Sequence, residues 1–228
     1  MGIRSQSNPA QSYNDVFTDT GNVDAVVAGP SGPGTMEASG GTTAEYTTPT
    51  GNYKSHTFTS SGSFVVTSAP GSSPQNAEFL VQGGGGGCKD FIDGNRHAGS
   101  GAGGLVYGPA GSLPATTYPV TIGGGGSESN GSNSVLNGVG PTGQIAQGGG
   151  AGGGTGGAAS GQGTNNGPGT ANVYRYGPTN SQTYGVGGVA SDYSATNRNA
   201  AGGANTGTGA SGYADGGSGV VVIRYLIS

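Results

Sequence analysis

The sequence predicts an all-β fold with little or no helix, in which small β-sandwich-like strands merge into a glycine-rich, polyglycine II-like packed region. Three observations predict it. The 228 residues include 54 glycines and 12 prolines with no collagen-like period of three. Short β-branched and aromatic runs bounded by Gly, Pro and Ser recur along the chain, and no stretch carries the apolar period of an amphipathic helix. Only 33 residues are Val, Ile, Leu or Phe, too few for an ordinary side-chain core. A net charge of −4 with 8% charged residues is also too small to hold a solvated coil open. What remains is an interior built from backbone.

The elements follow in order. Residues 1–50 are polar and weakly patterned, with one apolar stretch at Val23-Asp24-Ala25-Val26-Val27. Residues 51–228 read as one glycine-rich β domain. Its opening, 51–82, is expected to be a β-hairpin: Tyr53 to Thr59 alternates, Ser60-Ser61-Gly62 offers a turn, Ser63 to Thr67 returns, and Ala77 to Val81 follows. From 83 to 219 glycine runs alternate with strand-like pieces such as Thr117 to Ile122 and Ser134 to Leu136. The most apolar segment, 220–228, closes the chain and reads as a strand buried on both faces.

Glycine loses more backbone entropy on ordering than any other residue, so an ordered run of five needs an offsetting interaction. A three-residue-per-turn backbone like polyproline II points its N–H and C=O groups outward. Without side chains, several such strands can lie side by side and bond to one another, satisfying the groups that burial obliges them to pair. The alternative is a set of flexible linkers. The runs are short, numerous and separated by apolar pieces, which favours packing.

Catalytic and cofactor chemistry is not expected. Gly83-Gly84-Gly85-Gly86-Gly87-Cys88-Lys89-Asp90 resembles a phosphate loop only briefly, with Cys88 and Asp90 where Gly and Ser or Thr belong. GxGxxG matches arise by chance at this glycine content. His56 and His97, the two histidines, give no metal-ligand spacing, and His56 alternates with Phe58 as a packed strand residue would. Seven scattered Lys and Arg make no phosphate-binding patch, which argues against nucleic acid. No apolar run has bilayer length, and no membrane insertion is expected. Cys88, the one cysteine, cannot form an internal disulfide.

Two inserts interrupt the glycine runs. Residues 88–98 concentrate charge, with Asp93, Asn95 and Arg96 as binding candidates. Residues 172–199 carry Tyr174, Arg175, Tyr176, Gln182, Tyr184, Asp192, Tyr193, Asn197 and Arg198. Tyr, Arg and Asn on loops form adaptable recognition surfaces when a rigid scaffold holds them. The plain alternative is solvated loops covering glycine-packed edges.

Three stretches in order resemble the glycine-rich domain of bacteriophage virion proteins. They are His56 to Val66 followed by Phe79-Leu80-Val81-Gln82 and Gly83 to Gly87, Tyr118 to Gly126 followed by Gly131 to Leu136, and Gly217 to Tyr225. The chain is also similar to tail-tip adhesins whose polyglycine II strands present receptor-binding loops. The resemblance covers roughly residues 50–228. It implies a non-enzymatic virion protein of tail-fibre or adhesin type, made in the host cytoplasm and carried on a surface appendage. By the same analogy, residues 1–50 attach it to other virion proteins, the loops meet a host surface glycan or outer-membrane protein, and the protein is a homo-oligomer, a trimer. Other readings are a capsid or tail decoration that binds only virion proteins, and a disordered adhesive or matrix protein.

Overall fold

In a computed structural model the structure describes residues 35–69, 77–88, 96–97, 99–140, 142–152, 168–188, 191–192 and 200–227. Among them there is no helix, and the class is all-β. The strands in chain order are β1 (Glu37–Ser39), β2 (Thr42–Thr48), β3 (Gly51–Phe58), β4 (Gly62–Ser68), β5 (Ala77–Gln82), β6 (Arg96–His97), β7 (Leu105–Gly111), β8 (Thr117–Thr121), β9 (Ser134–Leu136), β10 (Gln144–Ala146), β11 (Thr170–Asn172), β12 (Gln182–Tyr184), β13 (Ser191–Asp192) and β14 (Val220–Leu226).

Two five-stranded antiparallel sheets, β1-β4-β8-β9-β10 and β2-β3-β14-β5-β7, form the sandwich. Alternation along the strands decides what lies between them. Phe58, Phe79, Val81, Val221, Ile223 and Tyr225 from one sheet meet Phe64, Val66, Tyr118, Val120 and Leu136 from the other. β14 is the central strand of its sheet. Val221, Ile223 and Tyr225 face this core, while Val220 and Val222 join Leu80 and Tyr184 in a second cluster on the opposite face. The closing strand is therefore buried on both faces.

Two expectations about the N-terminal half change. The turn at Ser60-Ser61-Gly62 closes no hairpin, because β3 and β4 belong to different sheets. It is a corner between sheets, and it lets Phe58 and Phe64 both point into the core. The hairpin is instead β2–β3, closed by Pro49-Thr50 between the paired Thr48 and Gly51. The folded unit also starts at Gly34 rather than 51, since β1 and β2 are edge strands of the two sheets. Composition hid this: β2 is Thr-rich and exposed, the pattern of an edge strand with little to bury.

His56 on β3 is fully buried between Gly40 O, 2.7 Å from Nδ1, and the Tyr225 hydroxyl, 3.3 Å from Nε2. Gly40 O can only accept, so in the neutral ring Nδ1–H donates to it and Nε2 accepts from Tyr225. Burial holds the imidazole below its ordinary value of 6.5, Lys54 adds to this, and the Gly40 contact opposes it.

The glycine runs leave the sandwich at one end: β5 continues into Gly83, β8 into 122–126 and β10 into 147–152, while Gly219 leads back into β14. Residues 83–88 form a central rod. Its N–H groups donate in turn to three neighbours: Gly83 to Gly104 O and Gly86 to Gly101 O, Gly84 to Ser132 O and Gly87 to Ser129 O, Gly85 to Gly217 O and Cys88 to Ala214 O, all at 2.8–3.1 Å. Its carbonyls accept from three others: Gly84 and Gly87 from Gly149 and Gly152, Gly85 from Gly126, and Gly86 from Ala210. Partners repeat every third residue, the period of a polyproline II-type helix.

The six surrounding segments also bond to one another in a closed ring. Gly101 donates to Gly150 O, Gly131 to Gly149 O, Ser132 to Gly124 O, Gly216 to Gly126 O, Gly217 to Thr208 O and Gly103 to Gly207 O. The descending order of the carbonyls met by the central N–H groups makes three neighbours antiparallel to the rod, and they alternate with parallel ones. Two more segments, 185–188 and 200–203, pack outside the ring through Gly185 to Thr206 O and Gly202 to Asp215 O. At the sandwich end, Gln82 caps the rod by donating Nε2–H to Gly83 O at 3.0 Å.

Close approach makes glycine necessary here. A Cβ on Gly84, Gly85 or Gly86 would overlap Gly124 O, Thr208 O or Gly150 O, whereas one on exposed Gly124 meets nothing within 4 Å. Gly85→Ala is expected to cost about 3 kcal/mol or more and Gly124→Ala less than about 1 kcal/mol, read from denaturant melts of the two variants. Acid is expected to weaken the fold in a second, separable way. The His56 contribution is complete above pH 6.5 and is lost as pH falls from there through the lowered folded value. Melting temperatures across that interval should fall more steeply for the wild type than for His56→Asn, which keeps a donor near Gly40 O and does not titrate.

Candidate recognition surface

The segments of the bundle turn together at the end remote from the sandwich. Cys88 is bridged to Gly152, Gly99 and Ala200 both pair with Ser211, Gly87 donates to Ser129 O, and Gly188 donates to Ser100 O. Residues 88 and 99, 126 and 129, 188 and 200, and 210 and 214 therefore bound loops that emerge from one apex. Both inserts reach it. Strand β13 pairs with β6, placing the backbone of Asp192 opposite Arg96 and Ser191 opposite His97. Two stretches nearly a hundred residues apart thus form one ladder. Asp93, Asn95, Tyr193, Asn197 and Arg198 lie outside the described residues.

The apex also holds residues that sequence reasoning missed. Tyr213 is 47% exposed in the 211–213 turn. Glu128 is exposed with φ 50, a left-handed conformation uncommon for a non-glycine residue and typical of a tight turn. A signal for Glu128 was present, because it is the sole charged residue between Arg96 and Arg175.

The insert 172–199 is divided. Only its second part reaches the apex. Residues 168–184 lie as a strap over the outer face of the β2-β3-β14-β5-β7 sheet, with β11 and β12 paired antiparallel. The Asn172 side chain starts the turn by accepting from Tyr174 N at 2.7 Å. The Tyr46 hydroxyl then donates to Tyr174 O at 2.7 Å, and Ser55 Oγ donates to Arg175 O at 3.3 Å. Gly177 takes φ 81 against the Tyr46 ring, where a Cβ would collide.

Arg224 anchors this strap. It is the one charge on β14 and its side chain is almost enclosed. Nε donates to Glu78 Oε2 at 2.6 Å, Nη1 reaches the Tyr46 hydroxyl at 3.4 Å, and the guanidinium lies 3.9 Å from the Tyr174 ring centre and 4.6 Å from that of Tyr53. Tyr174 donates its hydroxyl to Glu78 Oε1 at 2.9 Å. Burial opposes the Arg224 charge, but Tyr46 and Glu78 more than offset it and hold its pKa above the ordinary value. Burial and then Glu78 push the Tyr174 phenol up to about 12. These two groups keep their protons throughout the physiological range.

The candidates from the sequence thus divide by environment. Tyr184 is 1% exposed, packed on Leu80, Val220 and Val222, and is not a surface group. Its hydroxyl makes no well-formed hydrogen bond among the described residues, though the Arg175 side chain lies close to it, and burial, eased by Arg175, pushes it up to about 12. Tyr174 is half-buried with its hydroxyl engaged. Gln182 is half-buried and donates Nε2–H to Thr183 O at 3.2 Å. Arg175 is half-buried, its guanidinium 4.8 Å over the Tyr176 ring, and Tyr176 is 44% exposed. Among the described residues no three His, Cys, Asp or Glu side chains gather as metal ligands would. No family model and no curated protein matches the chain.

Arg224→Met retains volume but strands Glu78 beside two phenols and removes both ring contacts. It is expected to lower stability by about 2–4 kcal/mol. Limited proteolysis should then cut first within 173–181, whereas the wild type resists there.

Proposed function

We propose that this chain is a virion adhesin of tail-fibre type, which displays its apex loops to a receptor on the host surface and has no catalytic role. The observation that carries the reading is the two-ended body. β1 runs from Glu37, opposite Ser68 at the far end of β4, and β14 runs away from the bundle to Leu226. The described chain therefore starts and finishes at the sandwich end, while residues 88 and 99 and residues 188 and 200, which bound the two inserted loops, lie at the other. A rigid rod with loops at its tip suits contact with a distant surface, since order in the scaffold lowers the entropy lost on binding. Attachment to other virion proteins through the residues that precede the folded unit, 1–33, and a trimeric assembly, belong to the same proposal.

The apex loops and the strap are separable by experiment. Exchange of 189–199 together with 89–95 for the loops of a related virion protein is expected to change adsorption to host cells by tenfold or more, while the melting temperature stays unchanged. Unaltered adsorption would remove the recognition role. Position in the particle distinguishes the rival reading: electron density at a fibre tip is expected, and density confined to capsid lattice points would mark a decoration protein.

A further inference from the structure

An asparagine followed by glycine can close on itself. The glycine amide nitrogen attacks the asparagine Cγ, and with no Cβ on the glycine nothing obstructs the approach. Two such pairs lie among the described residues, Asn130-Gly131 and Asn137-Gly138, and their surroundings differ. In the first, both reacting groups are held. Gly131 N–H donates to Gly149 O at 2.8 Å, and Asn130 Oδ1 accepts from Ala151 N at 2.9 Å. Gly131 also lies so close to the rod that a Cβ there would overlap Gly84 O. Ring closure at Asn130 needs both bonds broken and the backbone withdrawn from the bundle.

The second pair stands in the turn 137–143 between β9 and β10. Asn137 and Gly138 are both exposed, and neither the Asn137 side-chain amide nor the Gly138 N–H has a hydrogen-bond partner among the described residues. Other groups of the turn are fixed around them. Asn137 N–H donates to Pro119 O at 3.0 Å, Gln144 Nε2 donates to Val139 O at 3.0 Å, and Val139 is buried in the core. Gly138 takes φ 79, and a Cβ on it would press against the Tyr118 ring. The turn therefore requires the very residue that leaves Asn137 open to attack.

We propose that Asn137 is a site of spontaneous modification, converted through a succinimide to aspartate and isoaspartate in the folded protein, while the bundle preserves Asn130. Gly138 N bonds to Asn137 Cγ, and the side-chain nitrogen leaves as ammonia with the proton from Gly138. Water then opens the ring. Cleavage at Cγ leaves aspartate; cleavage at the main-chain carbonyl leaves isoaspartate, with one more carbon in the main chain. That carbon enters between the amide anchored on Pro119 O and the buried Val139, so the turn loosens. β10, which follows the turn, runs directly into ring segment 147–152. This inference goes beyond the adhesin reading and does not depend on it.

The test holds the full chain folded in mildly alkaline buffer and follows both sites by peptide mass spectrometry, with electron-transfer fragmentation separating the two acids. Asn137 should convert faster than Asn130 by about tenfold or more, the factor implied by two hydrogen bonds that must break first. In denaturant, which frees Asn130 and Gly131, the two rates should converge. Hydroxylamine, which cleaves succinimides, should cut the folded chain between 137 and 138 and leave 130–131 intact. The aged protein should melt about 2–4 °C below the fresh one. Asn137→Gln, whose longer side chain closes far more slowly, should keep the fresh value. Conversion of Asn137 no faster than that of Asn130 in the folded protein, or conversion of both only in denaturant, overturns the proposal. So does an equal loss of melting temperature on ageing in Asn137→Gln. Adsorption and position in the particle, on which the adhesin reading stands, are untouched by either result.

Discussion

The structure depends on six residues whose amides and carbonyls point into protein in every direction. Gly83 to Cys88 form an interior with almost no side chains, and the hydrogen bonds to the ring around them replace the hydrocarbon contacts of a usual core. A buried peptide group left unpaired costs about 1–3 kcal/mol. The order of so many glycines is therefore tolerable only if nearly all of their groups are paired, and the threefold period achieves that because each successive residue faces a different neighbour. The same requirement excludes Cβ atoms at the centre. It also explains why so few large side chains suffice: they are gathered in the sandwich, from which the glycine segments are launched in register.

That arrangement makes the two halves interdependent. The rod and five of the six ring segments adjoin β5, β7, β8, β9, β10 or β14, so the sheets fix their spacing. β14 is the last strand and sits centrally between β3 and β5, so it completes both its sheet and the ring through Gly216 to Gly219. Its one charge, Arg224, organises the strap on the outer face. A buried ion pair seldom adds much net stability, and its better-attested contribution is to fix one arrangement of chain. Here it fixes where residues 168–184 lie, and so where segment 185–188 begins its run to the apex.

Much of this was legible in the sequence, and the reasons differ by element. The glycine packing followed from a contradiction in composition, too few apolar residues for a core and too little charge for a coil. β14 followed from an unbroken β-branched run. The β3–β4 corner was misread as a hairpin because Ser60-Ser61-Gly62 carries turn chemistry but no information about which sheet the next strand joins. β1 and β2 were missed because exposed edge strands bury little and so leave little pattern. In the candidate site, composition singled out the two inserts but could not see that 172–184 folds back on the sheet. That depends on the contact between Arg224 and Tyr174, fifty residues apart, and it buries Tyr184 while leaving Tyr176 outside.

Amide hydrogen exchange of the folded protein, followed by mass spectrometry on peptides spanning 83–88 and 220–226, tests the backbone-built interior most directly. Protection of the glycine peptide equal to that of the closing strand, with both lost together in denaturant, is the predicted result. Exchange of 83–88 at the rate of a free peptide, while 220–226 stays protected, would contradict it.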